Sequence, residues 1–394
     1  MTTRHSIRFE SIRTGCAGAP NARRSRVTTA HGSFETPAFM PVATAAAMKG
    51  LTPTQVNATG SECILNNAFH LLLRPGAERI RALGGVHAFM RWDGPILTDS
   101  GGFQAFSMAG INRLDESGVL FQSFIDGAMV HLGPESSMTV QQALGADIAM
   151  AFDDCPSASD ASPDEAARAR VVDAKDRTLR WLERCIEAHT RDDQALFGIV
   201  QGGTDLVLRS ASLDATCAHD LPGFAIGGVA VGEGPDAIAR VVQHVAPRLP
   251  HDKPRYLMGV GYPTDILMAV AAGVDMFDCV LPTRNGRNGM VFTRQGALRL
   301  RNAVHTDDPR PIEEDCDCET CRKGFSRAYL RHLFLAGEML GPTLASIHNI
   351  RLYQRLLLDI RRAIEDDAWL DLSLRWPCTM RGRCEGNDAG TPDD

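Results

Sequence analysis

The sequence predicts an α/β fold: a (β/α)8 barrel with a small β insertion and a C-terminal zinc-binding subdomain. Three observations lead there. Eight short apolar runs alternate with longer amphipathic segments, most runs end polar or glycine-rich, and a tight cysteine cluster follows the last run. Strands alternating with helices imply a parallel sheet. Eight of them allow it to close into a barrel, whose functional groups sit at the C-terminal strand ends. A doubly wound open sheet would also alternate, but it would not need functional groups on so many strand ends.

In chain order the runs are "PAFMPVAT" (37–44), "ECILNN" (62–67), "GPILTDSGG" (94–102) and "DIAMAFDDC" (147–155). They continue with "LFGIVQGG" (196–203), "FAIGGVAVGE" (224–233), "RYLMGVG" (255–261) and "VDMFDCVL" (274–281). Their ends place Asn67, Asp99, Asp153, Gln201, Gly228, Gly259 and Asp278 on one expected face. Residues 108–133 interrupt the repeat with turn signals at Glu116-Ser117-Gly118 and Asp126-Gly127, and so predict a β insertion. The expected organisation is a barrel over 1–289, a metal-binding subdomain with closing helices over 290–377, and a disordered tail over 378–394.

Composition sets outer bounds. Hydrophobic residues at 44% suit a globular protein with a large core, and no apolar stretch is long enough to span a bilayer. The polar start, "MTTRHSIRFESIRTG", lacks the apolar centre of a secretory signal, so a cytoplasmic protein with no membrane partner is expected. A net charge of -7 disfavours nucleic acid only on average, because binding needs just a local basic patch. Eleven cysteines in such a chain favour metal or reduced thiols over a disulfide framework.

"CDCETC" supplies Cys316, Cys318 and Cys321 on one tight turn, and three thiolates there can face one ion. His348, on a helix expected to pack back across the loop, is the candidate fourth ligand. Four protein ligands leave no open position, so a Zn2+ ion here would be structural. Cys378 and Cys384 form a looser pair that reads as incidental.

A lone aspartate at a strand end can equally cap the next helix. Several converging on one barrel face point to chemistry instead. Two separated carboxylates suit glycosidic-bond chemistry, one attacking the anomeric carbon and the other handling the proton. Asp153, Gln201 and the Gly228 amide could read a flat heterocycle. Phe103 and Met258 could sandwich it, although core packing is the ordinary role of either. In "LTDSGGFQ" the small residues Ser100, Gly101 and Gly102 after Asp99 let backbone amides approach a ligand.

"DSGGFQ", "FDDCP", "GIVQGG", "GGVAVGE", "LMGVG" and "MFDCVLPTRNGRNG", in this order and with the cysteine–histidine cluster, closely resemble bacterial tRNA-guanine transglycosylases over residues 8–368. The resemblance implies Asp278 as nucleophile at ribose C1′ of the wobble guanosine and Asp99 as general acid/base. It implies a base pocket of Ser100, Asp153, Gln201 and Gly228, with Phe103 and Met258 on the two ring faces and the Val229–Ala230 peptide, supported by Glu233, at the base's 7-substituent. Cys155 matches the bacterial members. RNA contacts are implied at Gly259, Val260, Gly261, Tyr262, Pro263, Thr264 and Asp265, and at Thr283, Arg284, Asn285, Gly286 and Arg287. The partners implied are the tRNA anticodon stem-loop, guanine and 7-deazaguanine bases, and a second copy of the chain through the helix holding Tyr329 and His332.

The sequence departs from the family pattern at Ala68 and Phe69, where threonine and tyrosine are usual, at Val229, where leucine is usual, and after Cys155. The implied reaction is exchange of guanine 34 in GUN-anticodon tRNAs for 7-aminomethyl-7-deazaguanine. Val229 motivates the alternative of direct queuine insertion. A DNA-modifying relative and a catalytically silent subunit are further alternatives. The intact "VLPTRNGR" segment and zinc cluster disfavour the first, and the presence of both Asp99 and Asp278 disfavours the second.

Overall fold

Eight short parallel strands wrap around an apolar interior, and a computed structural model describes them within residues 6–108, 111–156, 165–230 and 232–379. Three antiparallel strands come first, β1 (Arg8–Cys16), β2 (Ala19–Thr29) and β3 (Gly32–Thr36). The barrel strands are β4 (Ala38–Pro41), β5 (Ile64–Asn66), β6 (Ile96–Thr98), β10 (Ile148–Met150), β11 (Ala195–Val200), β12 (Gly223–Ile226), β13 (Arg255–Leu257) and β14 (Met276–Cys279). Each falls inside one of the eight expected runs or begins one residue before it.

The sheet order is β4-β14-β13-β12-β11-β10-β6-β5. A parallel bridge between Val42 and Leu65, with Ala43 N–H donating to Leu65 O at 2.7 Å, brings the last strand back to the first. The barrel is therefore nearly closed. Met40, Leu65, Leu97, Met150, Phe197, Ile199, Tyr256 and Met276 fill its interior, so it is a packed core and not a pore.

The insertion is the antiparallel sheet β7 (Ile111–Asp115), β8 (Gly118–Gln122) and β9 (Met129–Leu132), with turns where the sequence placed them. The N-terminal sheet β1–β3 was not expected. Its Ile7 flank, Val27 and Phe34 join the interior cluster and plug the barrel at the end where the strands begin. Arg23 of β2 is buried there, bonded to Asp275 and to the carbonyls of His251 and Lys253 at 2.8 and 2.7 Å. An arginine turned inward breaks the alternation that betrays a strand, which is why the sequence hid this sheet.

After the barrel come the hairpin β15 (Met290–Thr293) and β16 (Gly296–Arg299), the cysteine turn, and the long helix Leu340–Glu365. That helix joins the segment after 289 to the barrel. Leu352, Tyr353, Leu356, Leu357 and Ile360 lie in the same core cluster as the outer faces of the barrel strands. Gln354 Nε2 donates to Phe39 O at 3.0 Å, and Tyr353 O–H donates to Gly261 O at 2.6 Å. No helix among the described residues is long and apolar enough to cross a membrane. Cys378 lies in a short described turn, whereas residues 157–164, Val231, and 380–394 with Cys384 fall outside the described residues.

Candidate active site

Strand ends present the site. β14 carries Asp278 in register with Met40 of β4, and two donors meet its Oδ1. Tyr256 O–H, from inside β13, donates at 2.6 Å, and Gly259 N–H donates at 2.7 Å. Burial pushes the Asp278 carboxyl above its ordinary range, and the two donors oppose that rise. The same burial and the neighbouring aspartate push the Tyr256 phenol far up, so it stays a neutral donor.

Asp99 follows β6 and is only 8% exposed. Asn67 Nδ2 donates to its Oδ2, and Ala68 N–H donates to Oδ1 at 2.8 Å. Burial lifts its carboxyl to about 7, and the nearby Asp278 adds to the rise against the two donors. A carboxyl poised near neutrality can give and take a proton, which is what a general acid/base requires. Because Ala68 contributes through its backbone, the loss of the family's threonine hydroxyl leaves this bond intact.

Asp153, beyond β10, is buried and bridges two donors, Gln201 Nε2 at 2.6 Å and Ser100 Oγ at 3.3 Å. Burial raises it to about 6, with Asp154 adding and Gln201 opposing. Gly102 N–H donates to Ser100 Oγ at 3.2 Å, and a side chain on Gly102 would come within 2.8 Å of Asp153 O. Gly228 has φ +60°, and a Cβ there would lie 2.3 Å from Gln201 Oε1. Only glycine fits that gap and that backbone region.

The two positions expected to flank a ring differ: Phe103 is 43% exposed at the mouth, while Met258 is half-buried. Val229 is 1% exposed and belongs to the core between barrel and helices, whereas Ala230 is exposed. Shortening a leucine to Val229 therefore changes packing behind the loop and does not itself widen the pocket. Phe69 is likewise in the core, beside Phe121 at a ring-centroid distance of 5.2 Å.

Of the positions expected to meet RNA, Gly259 and Arg284 are exposed, and Tyr262, Thr264 and Arg287 are half-buried. Val260, Gly261, Pro263, Asp265, Thr283, Asn285 and Gly286 are buried, so their side chains shape the loops and do not present themselves. Gly286 sits where a Cβ would come within 2.7 Å of Ser346 Oγ on the long helix, fixing the close approach of that helix to Leu281–Arg287.

Asp154 has a different task from Asp153. Buried and turned outward, it takes Arg170 Nη1 at 2.9 Å and Nη2 at 2.6 Å, and also pairs with Arg177, both on helix Glu165–Ala188. Sequence reasoning placed Asn67 on the functional face without giving it a role, and it missed Tyr256 and Arg209 as site-forming residues. For Arg209 a signal existed: Arg209, Ser212 and Thr216 share a helical face at i, i+3, i+7 spacing and are all buried.

Cys316, Cys318, Cys321 and His348 are buried, with ligand atoms all within 4.8 Å of one another. His348 Nδ1 lies 3.6 Å from Cys318 Sγ and 3.4 Å from Cys321 Sγ. A tetrahedral zinc with ordinary bond lengths separates nitrogen and sulfur ligands by about 3.5 Å. His348 Nε2 donates to Phe292 O at 2.7 Å, which turns Nδ1 toward the thiols. These residues fit a metal ion.

His31, His87 and Asp147 also cluster, at the opposite mouth of the barrel. Here the rings stack at 3.6 Å with a 14° interplanar angle, so their in-plane lone pairs run nearly parallel and do not converge on an ion. Against the upward push of burial, donors from His87, Ile96 and His31 hold Asp147 at about 2. The group is a hydrogen-bonded clamp tying the β2–β3 turn to the starts of β6 and β10.

A nearly closed (β/α)8 barrel with a buried and a half-buried carboxylate, both shifted upward, and a polar slot at its strand ends defines an enzyme of the glycosyl-transfer type. The family model described as queuine tRNA-ribosyltransferase matches residues 17–377, and the chain belongs to that family. A queuine tRNA-ribosyltransferase of Thermus thermophilus is 52% identical over 93% of this chain and 94% of its own length. Those of Nitrosomonas eutropha, 53% identical over 90% and 97%, and Syntrophobacter fumaroxidans, 52% over 89% and 92%, are similarly close.

Proposed function

We propose that this enzyme exchanges guanine at wobble position 34 of GUN-anticodon tRNAs for 7-aminomethyl-7-deazaguanine, by double displacement, in queuosine biosynthesis. The observation that carries the reading is the pair Asp99, buried, and Asp278, half-buried, both shifted upward at one barrel mouth. Both described donors to Asp278 meet Oδ1, so Oδ2 is the oxygen assigned to attack. As the Oδ2–C1′ bond forms, the C1′–N9 bond breaks, its electron pair leaves on guanine, and Asp99 supplies a proton. The incoming base then gives Asp99 a proton and displaces Asp278, so two inversions retain the configuration.

Asp153, Ser100, Gln201 and the Gly228 amide hold the base, and Phe103 and Met258 flank its ring. Gly259, Tyr262, Thr264, Arg284 and Arg287 meet the anticodon loop, where cations suit phosphates and splayed bases. The ion at Cys316, Cys318, Cys321 and His348 is zinc, and four protein ligands make it structural. Exposed Tyr329 and Leu335 on helix Arg327–Ala336, with exposed Met339 just beyond it, make this region the surface for a second copy. The reading includes a cytoplasmic location.

Trapping tests it. Incubation with tRNA and a tight-binding base analogue should give a denaturation-resistant protein–RNA adduct that disappears in Asp278→Ala. An adduct that survives the substitution removes Asp278 as nucleophile. Queuine insertion is the alternative, and the burial of Val229 speaks against its motive. Competition of the two bases for guanine-labelled tRNA separates them.

A further inference from the structure

Helix Leu206–Cys217 buries a polar stripe against the barrel, and its first member, Arg209, is 0% exposed. Every hydrogen bond described for the Arg209 guanidinium goes to a main-chain carbonyl. Nε donates to Gly203 O at 2.8 Å, Nη1 to Val200 O at 2.6 Å, and Nη2 to Gly228 O at 2.9 Å. Val200 and Gly203 bracket Gln201 at the end of β11, and Gly228 follows β12. One planar cation thus ties together the two loops that carry Gln201 and the Gly228 amide. Val200 O also takes Gly227 N–H at 3.2 Å, so the two loops meet there directly as well.

The arrangement is costly unless it does something. A buried cation loses its hydration, and here carbonyl dipoles replace the water. Burial brings the Arg209 pKa down to about 10, with Cys155 and Glu233 opposing the fall, so it remains charged at neutral pH. The gap between Gln201 and Gly228 is already too small for a Cβ, and a shift of either loop would misplace both groups. Lysine could supply charge there, but not three donors in a rigid plane.

We propose that Arg209 is a positioning residue for base recognition, holding the Gln201 and Gly228 loops in one register so that both edges of the base are met together. It touches neither base nor sugar, and acts through those two loops. This inference rests on the reading of Asp153, Gln201 and Gly228 as the base-holding groups.

The test compares Arg209→Lys and Arg209→Gln with the wild-type, zinc-loaded full chain. Apparent KM is measured separately for guanine and for tRNA, alongside kcat, the thermal midpoint and the direct Kd for guanine by calorimetry. Loss of charge-assisted bonds at a positioned group predicts a rise in guanine KM and Kd of about ten- to a hundredfold, with tRNA KM changed less than about twofold. Arg209→Lys should lose less than Arg209→Gln. Unchanged guanine KM in either folded variant overturns the proposal. So does a joint loss of guanine affinity, tRNA affinity and thermal stability, because that pattern belongs to a purely structural residue. Failure of the wild type itself to bind guanine would instead overturn the underlying reading of the pocket.

Discussion

Replacing Tyr256 by phenylalanine removes one oxygen and keeps the ring that fills the barrel interior. That oxygen donates to Asp278 Oδ1 at 2.6 Å and is one of two donors there. A hydrogen bond to a charged group contributes about 1.5–3 kcal/mol, and 1.36 kcal/mol corresponds to one pKa unit. Because Gly259 N–H remains on the same oxygen, the lower end applies, and the Asp278 pKa should rise by about one unit. In the proposed mechanism Asp278 attacks only when ionised, while burial raises its pKa and the phenol favours the ionised form. Its loss moves the acid limb of the kcat/KM profile to higher pH by about one unit, while the alkaline limb stays. Below that limb the variant should therefore be about tenfold slower, and well above it nearly as fast as wild type. The assay is guanine exchange into tRNA between acid and mildly alkaline pH, with the thermal midpoint checked at each. An acid limb that stays in place, or moves down, while the rate falls evenly would refute the reasoning and leave Tyr256 as packing.

Two further outcomes follow from the same geometry. Asp99, held at about 7 in the fold against 3.8 when unperturbed, makes the native state bind a proton that the unfolded chain has released. Wild-type stability should fall as pH rises from about 4 to 7 relative to Asp99→Asn, by up to about 4 kcal/mol, as denaturant melts at several pH values can show. Parallel stability curves for the two proteins would contradict it. Chelation of the metal or Cys318→Ala should lower the thermal midpoint by roughly 10 °C and remove about one zinc per chain by elemental analysis. No change in the midpoint would end the structural role of the ion.

All eight barrel strands could be read from the chain because parallel strands buried on both faces are short, nearly continuous apolar runs. Their polar ends were legible for the same reason: Asp99, Asp153, Gln201 and Asp278 interrupt apolar context. Cys316, Cys318 and Cys321 announced themselves by spacing, and His348 by its place on the following helix. Motif order then indicated the family. The N-terminal sheet stayed hidden because Arg23 points inward to Asp275, a partner 252 residues away.

What only the tertiary structure decided is how these groups are held. Asp153 and Asp154 are neighbours in sequence, yet one faces the pocket and the other is anchored by two arginines of an outer helix. Among the stretch from Gly259 to Asp265 and from Thr283 to Arg287, burial separates loop-shaping residues from those able to meet RNA. Tyr256 and Arg209 look like ordinary members of a strand and a helix, because their partners are strand ends brought close only by barrel closure. Local pattern records which face of an element is apolar, so the sequence by itself determined the strands, the strand-end carboxylates and the cysteines of the cluster that could hold a metal. Contacts between distant segments are set by packing, and packing alone determined the protonation and aim of those carboxylates.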